Sequence, residues 1–346
     1  MIESSSLDDV LGRAHALMQQ QCFGEAIALL ADACRRQSDV RCEQRLAQLR
    51  HDAYAIEPPR SNAEDADQWR SPADLFADVN GIPEISADSL NSETLAAGIR
   101  HHGALLVRGV LQESKALQLA GGVRRALDAC QAWHRNAIDA SDLPWYSRIK
   151  LSDDSDLAQA RVWVEEGGGG VWAADSPRML FELVELFGAS GVIAAIEGYF
   201  GERPMLSVGK STLRCVPSTI ALSDWHQDGA FMGRDIRSVN VWLSLSHCGQ
   251  DASGLECLPR RLSEVLPTGS HGAYFNWSVG PGMVDAVTEG QPTVSPVFAP
   301  GDALLFDHFF LHRTGIPAGI AKDRYAIESW FFAPSAYPAQ QVPLWL

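Results

Sequence analysis

No stretch of this 346-residue chain approaches the roughly 20 consecutive apolar residues that a membrane-spanning helix requires. Basic residues are scarce: 28 Lys and Arg stand against 43 Asp and Glu, a formal charge of −15. A surface of that sign repels phosphate backbones and anionic lipid, so neither nucleic acid nor a membrane is an expected partner. Cysteine is present without pattern. The seven, at positions 22, 34, 42, 130, 215, 248 and 257, are odd in number and include no C-x-x-C pair. That argues against a disulfide framework and a zinc ribbon, and predicts reduced thiols packed as small hydrophobes, with Cys248 and Cys257 flanking a candidate loop. The first nine residues hold no basic stretch followed by an apolar one, so no secretory signal is expected and a cytoplasmic location is. What is present, 46% hydrophobic and 21% charged residues, suits a globular protein with one large domain and an appendage.

Residues 1–56 predict the appendage. Val10, Leu11, Ala14, Leu17 and Met18, then Phe23, Ala26, Ile27, Leu30 and Ala33, fall at helical spacing on either side of a short break at 19–24. A helical hairpin follows from this, and Leu46, Leu49 and Ala53 add a third helix. The Ala14, Phe23 to Ile27 and Leu30 pattern resembles one tetratricopeptide repeat, but no second copy follows at the 34-residue period. The helices are therefore expected to pack on the main domain or on another subunit, which leaves a protein partner or self-association open. Residues 57–80 read as a linker, acidic and proline-bearing over 57–67, with a short helix capped by Ser71-Pro72.

The main domain is expected over 81–346. Helical spacing recurs over 92–100, 113–132, 176–187 and 192–200, a buried strand is read over 102–109, and Gly167 to Gly170 are expected to form a loop. After Arg203-Pro204 the character changes to short runs of Val, Leu, Ser, Thr and aromatics, predicting strands at 205–216, 237–246, 254–258, 293–298, 303–307 and 324–333. Helices followed by an antiparallel core at about 205–333 define an α+β, jelly-roll-like fold with flanking helices.

Trp225-His-Gln-Asp228 sets an imidazole and a carboxylate two residues apart, on one face of an extended segment. His312, at the end of the run Gly301 to Gly315, supplies a third ligand from a distant strand. Two histidines and one carboxylate leave three positions of an octahedral Fe(II) open, enough for a bidentate oxo-acid and dioxygen. Arg324 begins an alternating strand further on, and its planar fork can grip the far carboxylate of 2-oxoglutarate with two parallel hydrogen bonds.

Taken together, Trp225 to Asp228, Ser238 to Leu245, Gly254 to Pro259, Gly301-Asp302, His312 to Gly315 and Arg324 resemble the phytanoyl-CoA dioxygenase family of Fe(II)/2-oxoglutarate oxygenases. The resemblance covers about residues 82–333 and is specific in the second half. It implies a double-stranded β-helix, iron bound by His226, Asp228 and His312, and the distal cosubstrate carboxylate held by Arg324 with Thr314. It also implies that Trp242 lines the cosubstrate pocket. The expected reaction is hydroxylation of a small molecule with O2, releasing succinate and CO2; desaturation, epimerisation or cyclisation share the same chemistry. Asp228 stands where related halogenases leave room for chloride, which disfavours halogenation.

Two departures limit the analogy. Pro259-Arg260-Arg261-Leu262 replaces the family's Pro-Gly-Ser-His, and only Arg260 and Arg261, with Arg234 and Arg237, offer a basic rim for coenzyme A phosphates. Acyl-CoA specificity is therefore not carried over. Rival readings are a non-catalytic scaffold with a degenerate barrel, and a zinc hydrolase or isomerase at the same ligands. His308 is weighed as a further ligand, His247 and His271 as loop residues over the mouth, and Tyr146, Trp163, Trp172 and Phe231 as pocket walls or core. Gly167 to Gly170 lacks the Lys-Ser/Thr of a phosphate-binding loop. Residues 140–175 and 260–292 are expected to cover the mouth.

Overall fold

A computed structural model of the chain describes residues 6–56, 72–150 and 155–346. Three helices come first: α1 (Leu7–Gln19), α2 (Phe23–Arg36) and α3 (Val40–Ile56). The Ser6 hydroxyl accepts from the Asp9 amide at 3.2 Å while Asp9 accepts from the Ser6 amide at 3.1 Å, a reciprocal cap that starts α1. Val10, Ala14, Phe23, Ala26, Leu30, Leu46 and Leu49 form the core of this bundle. It docks on the main domain through α3. Glu43, buried, accepts from Arg178 at 2.6 Å, and Arg50 donates to the Trp345 carbonyl at 2.7 Å. The linker expected over 57–67 and the capping Ser71 lie outside the described residues. The short helix expected after Pro72 is not there: residues 75–78 make a turn. Asp74 accepts from the Phe76 amide and reaches His102, and the Pro72 carbonyl meets His101, so this segment is tied to the end of the next helix.

The main domain runs β1 (Glu84–Ser86), α4 (Ser92–His102), β2 (Ala104–Arg108), α5 (Glu113–His134), α6 (Ser155–Val162), β3 (Gly170–Trp172), α7 (Pro177–Ala189) and α8 (Val192–Phe200). It continues with β4 (Met205–Val216), α9 (Gly229–Met232), β5 (Ser238–Ser244), β6 (Gly254–Cys257), α10 (Pro281–Thr288), β7 (Ala303–Phe306), β8 (His312–Gly315), β9 (Arg324–Phe332) and β10 (Pro343–Trp345). The large sheet has the order β1-β2-β7-β5-β9-β4-β10, with β3 also paired to β4. Only β1 and β2 run parallel. A second sheet pairs β6 with β8 and is widened by single bridges, Trp225 to Val279, His226 to His312 and Cys257 to Val294.

Period-two alternation decides which side chains enter the space between the sheets. On β5, Val239, Val241 and Leu243 turn to the helices, while Ser238, Asn240, Trp242 and Ser244 turn inward; on β9, Ile327 and Phe331 face the helices, opposite Arg324, Ala326, Glu328, Trp330 and Phe332. Leu304, Phe306, Trp242, Trp330, Leu255 and Cys257 form one apolar layer between the two sheets, each large side chain contributing about 2–3 kcal/mol by leaving water. On the other face, α4, α5, α7 and α8 pack Leu95, Leu119, Leu183, Phe187, Ile196 and Phe200 against the large sheet. Among the described residues no single helix is long and apolar enough to cross a membrane. The adjoining α7 and α8 pass on length and composition only as a pair bent by 72°, and their apolar faces are buried in this core.

Two further expectations are corrected. The strand read over 293–298 is reduced to isolated bridges at Val294 and Phe298, because Pro292, Pro296 and Pro300 withhold the amides a ladder needs. Gly167 to Gly170 is not one loop: a single π-helical turn ends at Gly167, Gly169 takes a positive φ of 62°, and Gly170 starts β3. Gly103, at φ 83°, ends α4 and allows the backbone of Arg260 so close that a Cβ would lie 2.6 Å from it.

Candidate metal centre

The chain is extended through Trp225 and His226, then turns at Asp228 into the short α9. His226 and His312 exchange two backbone hydrogen bonds, 2.9 and 3.1 Å, which sets their rings 4.4 Å apart between centroids. Asp228 completes the group. Ligand atoms of His226, Asp228 and His312 all lie within 4.8 Å of one another, with Asp228 Oδ2 3.8 Å from His312 Nε2. Each ring has its other nitrogen beside a carbonyl: His226 Nδ1 is 3.2 Å from the Asp224 oxygen, and His312 Nδ1 is 3.1 Å from the Phe310 oxygen. A neutral imidazole donating there turns its Nε2 lone pair into the group, the tautomer a metal ligand needs.

Electrostatics point the same way. Burial pushes the Asp228 carboxyl upward, but the Lys210 ammonium 3.5 Å away and the two imidazoles outweigh it and hold the group below its ordinary value. Burial first, and His226 second, push His312 down to about 4. Neutral His312 and ionised Asp228, with the His226 ring beside them, make a donor set suited to a divalent transition metal. Gln227, between two of these residues, points the opposite way and is fully buried. Its amide donates to the carbonyls of Glu264 and Phe309 at 3.0 and 2.7 Å and accepts from the Leu266 amide at 2.8 Å. The segment bearing His226 and Asp228 is thereby pinned to the turn that delivers His312.

Arg324 lies between the sheets with 2% of its surface exposed. Its Nη1 donates to the Gly254 carbonyl at 2.8 Å, Nε has no partner, and the guanidinium sits 5.4 Å from the Trp242 ring. Burial pushes its pKa down to about 10. No ion pair joins Arg324 to a carboxylate among the described residues, an expensive arrangement unless an anionic ligand completes it. Gly254 pairs with Gly315, next to Thr314, and Thr314 shares the inward face of β8 with His312. The Trp242 indole N–H is buried without a partner in the same region.

Several residues at this site escape sequence reasoning. Lys210 stands at a register shift in β4, contacts Asp228 and lies 4.7 Å from the centre of the Phe231 ring. Arg214 and Glu328 pair at 3.1 Å on the inward faces of β4 and β9. Their signal was the alternation Lys210, Thr212, Arg214 in a strand whose other residues are mostly apolar.

Other candidates are placed elsewhere. His308 is in a turn, not a strand, and its ring contacts the Ser238 hydroxyl at 2.8 Å and the Arg234 carbonyl at 3.1 Å, away from the ligand group. His247 and His271 are exposed, the latter 2.9 Å from the Ser270 hydroxyl. Tyr146 and Trp172 are core, and Trp163 is 56% exposed. Cys248 and Cys257 are buried. Three of the four arginines of the anticipated basic rim are ion-paired: Arg260 with Glu289, Arg261 with Asp307 and Arg237 with Glu202. A second set of potential ligand groups, Cys130, His134 and Glu165, also comes together. There Tyr146, Arg148 and His134 all converge on the Glu165 carboxylate, and the arginine occupies the place a cation would take.

No family model and no curated protein matches the chain, so the resemblance to the phytanoyl-CoA dioxygenase family rests on the motif residues. Solved structures do match. EctD from S. alaskensis, with 2-oxoglutarate and 5-hydroxyectoine, is 18% identical over 77% of this chain and 88% of its own, at a TM-score of 0.49. SnoK, a non-heme α-ketoglutarate-dependent carbocyclase from nogalamycin biosynthesis, is 12% identical over 72% and 86%, at 0.46. EvdO2 from Micromonospora carbonacea var. aurantiaca, complexed with 2-oxoglutarate, is 18% identical over 68% and 88%, at 0.42.

Proposed function

We propose that this chain is an Fe(II)- and 2-oxoglutarate-dependent oxygenase that hydroxylates a small molecule, consuming O2 and releasing succinate and CO2. The observation that carries this reading is that the space between the two sheets takes in both the His226, Asp228 and His312 group and the buried guanidinium of Arg324, which has no carboxylate partner among the described residues. His226, Asp228 and His312 would hold the iron, and three protein ligands would leave it able to take a bidentate oxo-acid and dioxygen. Bound there, iron with its cosubstrate and dioxygen supplies an oxidant strong enough to remove hydrogen from an unactivated C–H bond.

The chain's own residues do the positioning. Asp224 and Phe310 carbonyls hold the imidazoles in the ligating tautomer, Lys210 keeps Asp228 ionised, and Gln227 fixes the spacing of the two ligand segments. Arg324 and Thr314 receive the distal carboxylate, with Trp242 forming the wall beneath the guanidinium. Desaturation, epimerisation and cyclisation start from the same hydrogen removal and are separated from hydroxylation by the product. In this reading residues 81–346 are the catalytic domain, 1–56 its helical appendage, and the unpaired thiols suit a reducing cytoplasm.

The test needs no substrate. Anaerobic titration of the protein with Fe(II) and 2-oxoglutarate is expected to give the visible charge-transfer band of a chelated complex. His226→Ala abolishes the band with the fold kept, and Arg324→Ala weakens 2-oxoglutarate far more than iron. If neither iron nor 2-oxoglutarate binds, the oxygenase reading fails in favour of a scaffold.

A further inference from the structure

An unbroken series of aromatic rings leads from the metal ligands to the surface. The His226 ring meets Trp277 edge-on at 5.9 Å and Phe231 at 6.4 Å, and Phe231 and Trp277 lie 5.7 Å apart. Phe275 stacks on Trp277 at 4.9 Å and 7°, and Tyr274 closes the series edge-on to Phe275 at 4.7 Å. Tyr274 is 68% exposed, and Phe275 and Phe231 are each 37% exposed.

This surface is built, not incidental. Asp224 Oδ2 accepts from the Tyr274 amide at 3.0 Å, the Phe275 amide at 3.3 Å and the Ser278 hydroxyl at 2.5 Å, and the Val279 amide donates to the Trp225 carbonyl at 2.8 Å. The same Asp224 offers its carbonyl to His226, so one residue holds both the aromatic loop and the metal ligand. Phe231 also lines a cavity of about 550 Å³, with Met232, Val265 and Leu266 among its apolar walls and Arg234, Thr268 and Gln340 among its polar ones, within the size range of small-molecule pockets.

We infer that Phe231, Trp277, Phe275 and Tyr274 form a stacking platform for a flat, uncharged, multi-ring substrate; the inference rests on the oxygenase reading and names the substrate class of that site. Three observations select this class. The loop over 270–278 carries three aromatics and no Leu, Ile, Val or Met, whereas an aliphatic guest needs only apolar area. Aromatic partners gain from ring quadrupoles as well as from area. Arg260 and Arg261 are paired with Glu289 and Asp307, so these two offer an anion no unpaired charge. A cation is repelled by Lys210, whose ammonium already lies over the Phe231 ring.

The experiment uses the full chain and 1-hydroxyanthraquinone, a neutral three-ring probe, followed by calorimetry beside the Fe(II)/2-oxoglutarate band. Acetyl-coenzyme A and tetramethylammonium are run in parallel. The expected result is binding of the ring probe alone, weakened about tenfold or more by Trp277→Ala and about threefold by the exposed Tyr274→Ala, and restored by Trp277→Phe, with the metal band unchanged in Tyr274→Ala. A normal band with ring-probe binding absent, or insensitive to Trp277→Ala and Tyr274→Ala, overturns the platform and leaves the oxygenase standing. Tighter binding of either charged probe also overturns it. A dimer that Tyr274→Ala dissociates, with no probe bound, overturns it by assigning the face to a second copy. Platform-dependent probe binding with no band does the reverse: the binding site stands and the oxygenase reading falls.

Discussion

Arg324→Met is expected to do something unusual for a change at a buried position: to leave the ligand-free protein as stable as before, or more so, while removing cosubstrate binding. The guanidinium is 2% exposed and has one neutral acceptor, the Gly254 carbonyl. Burial pushes its pKa down from the ordinary 12.5, so the fold carries this cation at a cost, about 3 kcal/mol for a buried ion without a charged partner. Methionine removes that cost and fills a similar volume. It forfeits the Gly254 hydrogen bond, about 1 kcal/mol, and the stacking on Trp242, about 1 kcal/mol. The net is about 0–2 kcal/mol of added stability, where an ordinary substitution loses about 1 kcal/mol. At roughly 2–4 °C per kcal/mol for a chain of this size, thermal melts of ligand-free protein should place the variant between wild type and several degrees above it. Calorimetry should find 2-oxoglutarate affinity reduced by a hundredfold or more, as expected on losing a buried, bidentate charge contact worth about 3 kcal/mol. A variant that melts well below wild type and still binds 2-oxoglutarate would refute the reasoning and make Arg324 a structural residue.

Arg178→Met leaves the buried Glu43 carboxyl without its partner at the junction of α3 and α7, and should lower stability by about 3 kcal/mol, read as a drop in denaturation midpoint; the double variant with Glu43→Leu should recover most of it. Gln227→Ala strands the Glu264 and Phe309 carbonyls and the Leu266 amide, so a loss of about 2–4 kcal/mol is expected together with weaker iron binding, measured by anaerobic titration. Burial lowers the pKa of His308 below its ordinary 6.5, so its unfolded form takes up a proton first as the pH falls. That group's contribution to stability is complete above about pH 6.5 and is lost progressively below it, so His308→Asn should flatten this part of a stability-against-pH curve; an unchanged slope would rule the assignment out.

Part of this site was legible because metal ligation uses few residue types at fixed spacings. His226, Asp228 and His312 stood out as a histidine and a carboxylate two apart with a distant second histidine, and Arg324 as a cation opening a strand of apolar alternation. Lys210, Arg214 and Glu328 were equally inward-facing but carried no motif, since a charged residue in a strand faces solvent or the interior according to a register the strand alone does not contain. Gln227 was visible only as the residue between two ligands; its three partners come from segments some 40 to 80 positions away. The short helix after Pro72 and the strand over 293–298 were misread from local pattern, because the first segment is held by His101 and His102 and the second is broken by prolines.

The sequence by itself determined the helices of residues 7–56, the long strands β4, β5 and β9, and which donor side chains could form one group, His226, Asp228 and His312, since periodicity and donor chemistry are local properties. Only the tertiary structure decided that Arg324 has no carboxylate partner among the described residues, that Arg260 and Arg261 do, and that Asp224 joins an aromatic loop to His226. The physical reason is that charge compensation and burial are properties of what surrounds a side chain. Those surroundings come from strands and loops far apart in the chain, brought together by the pairing of two sheets.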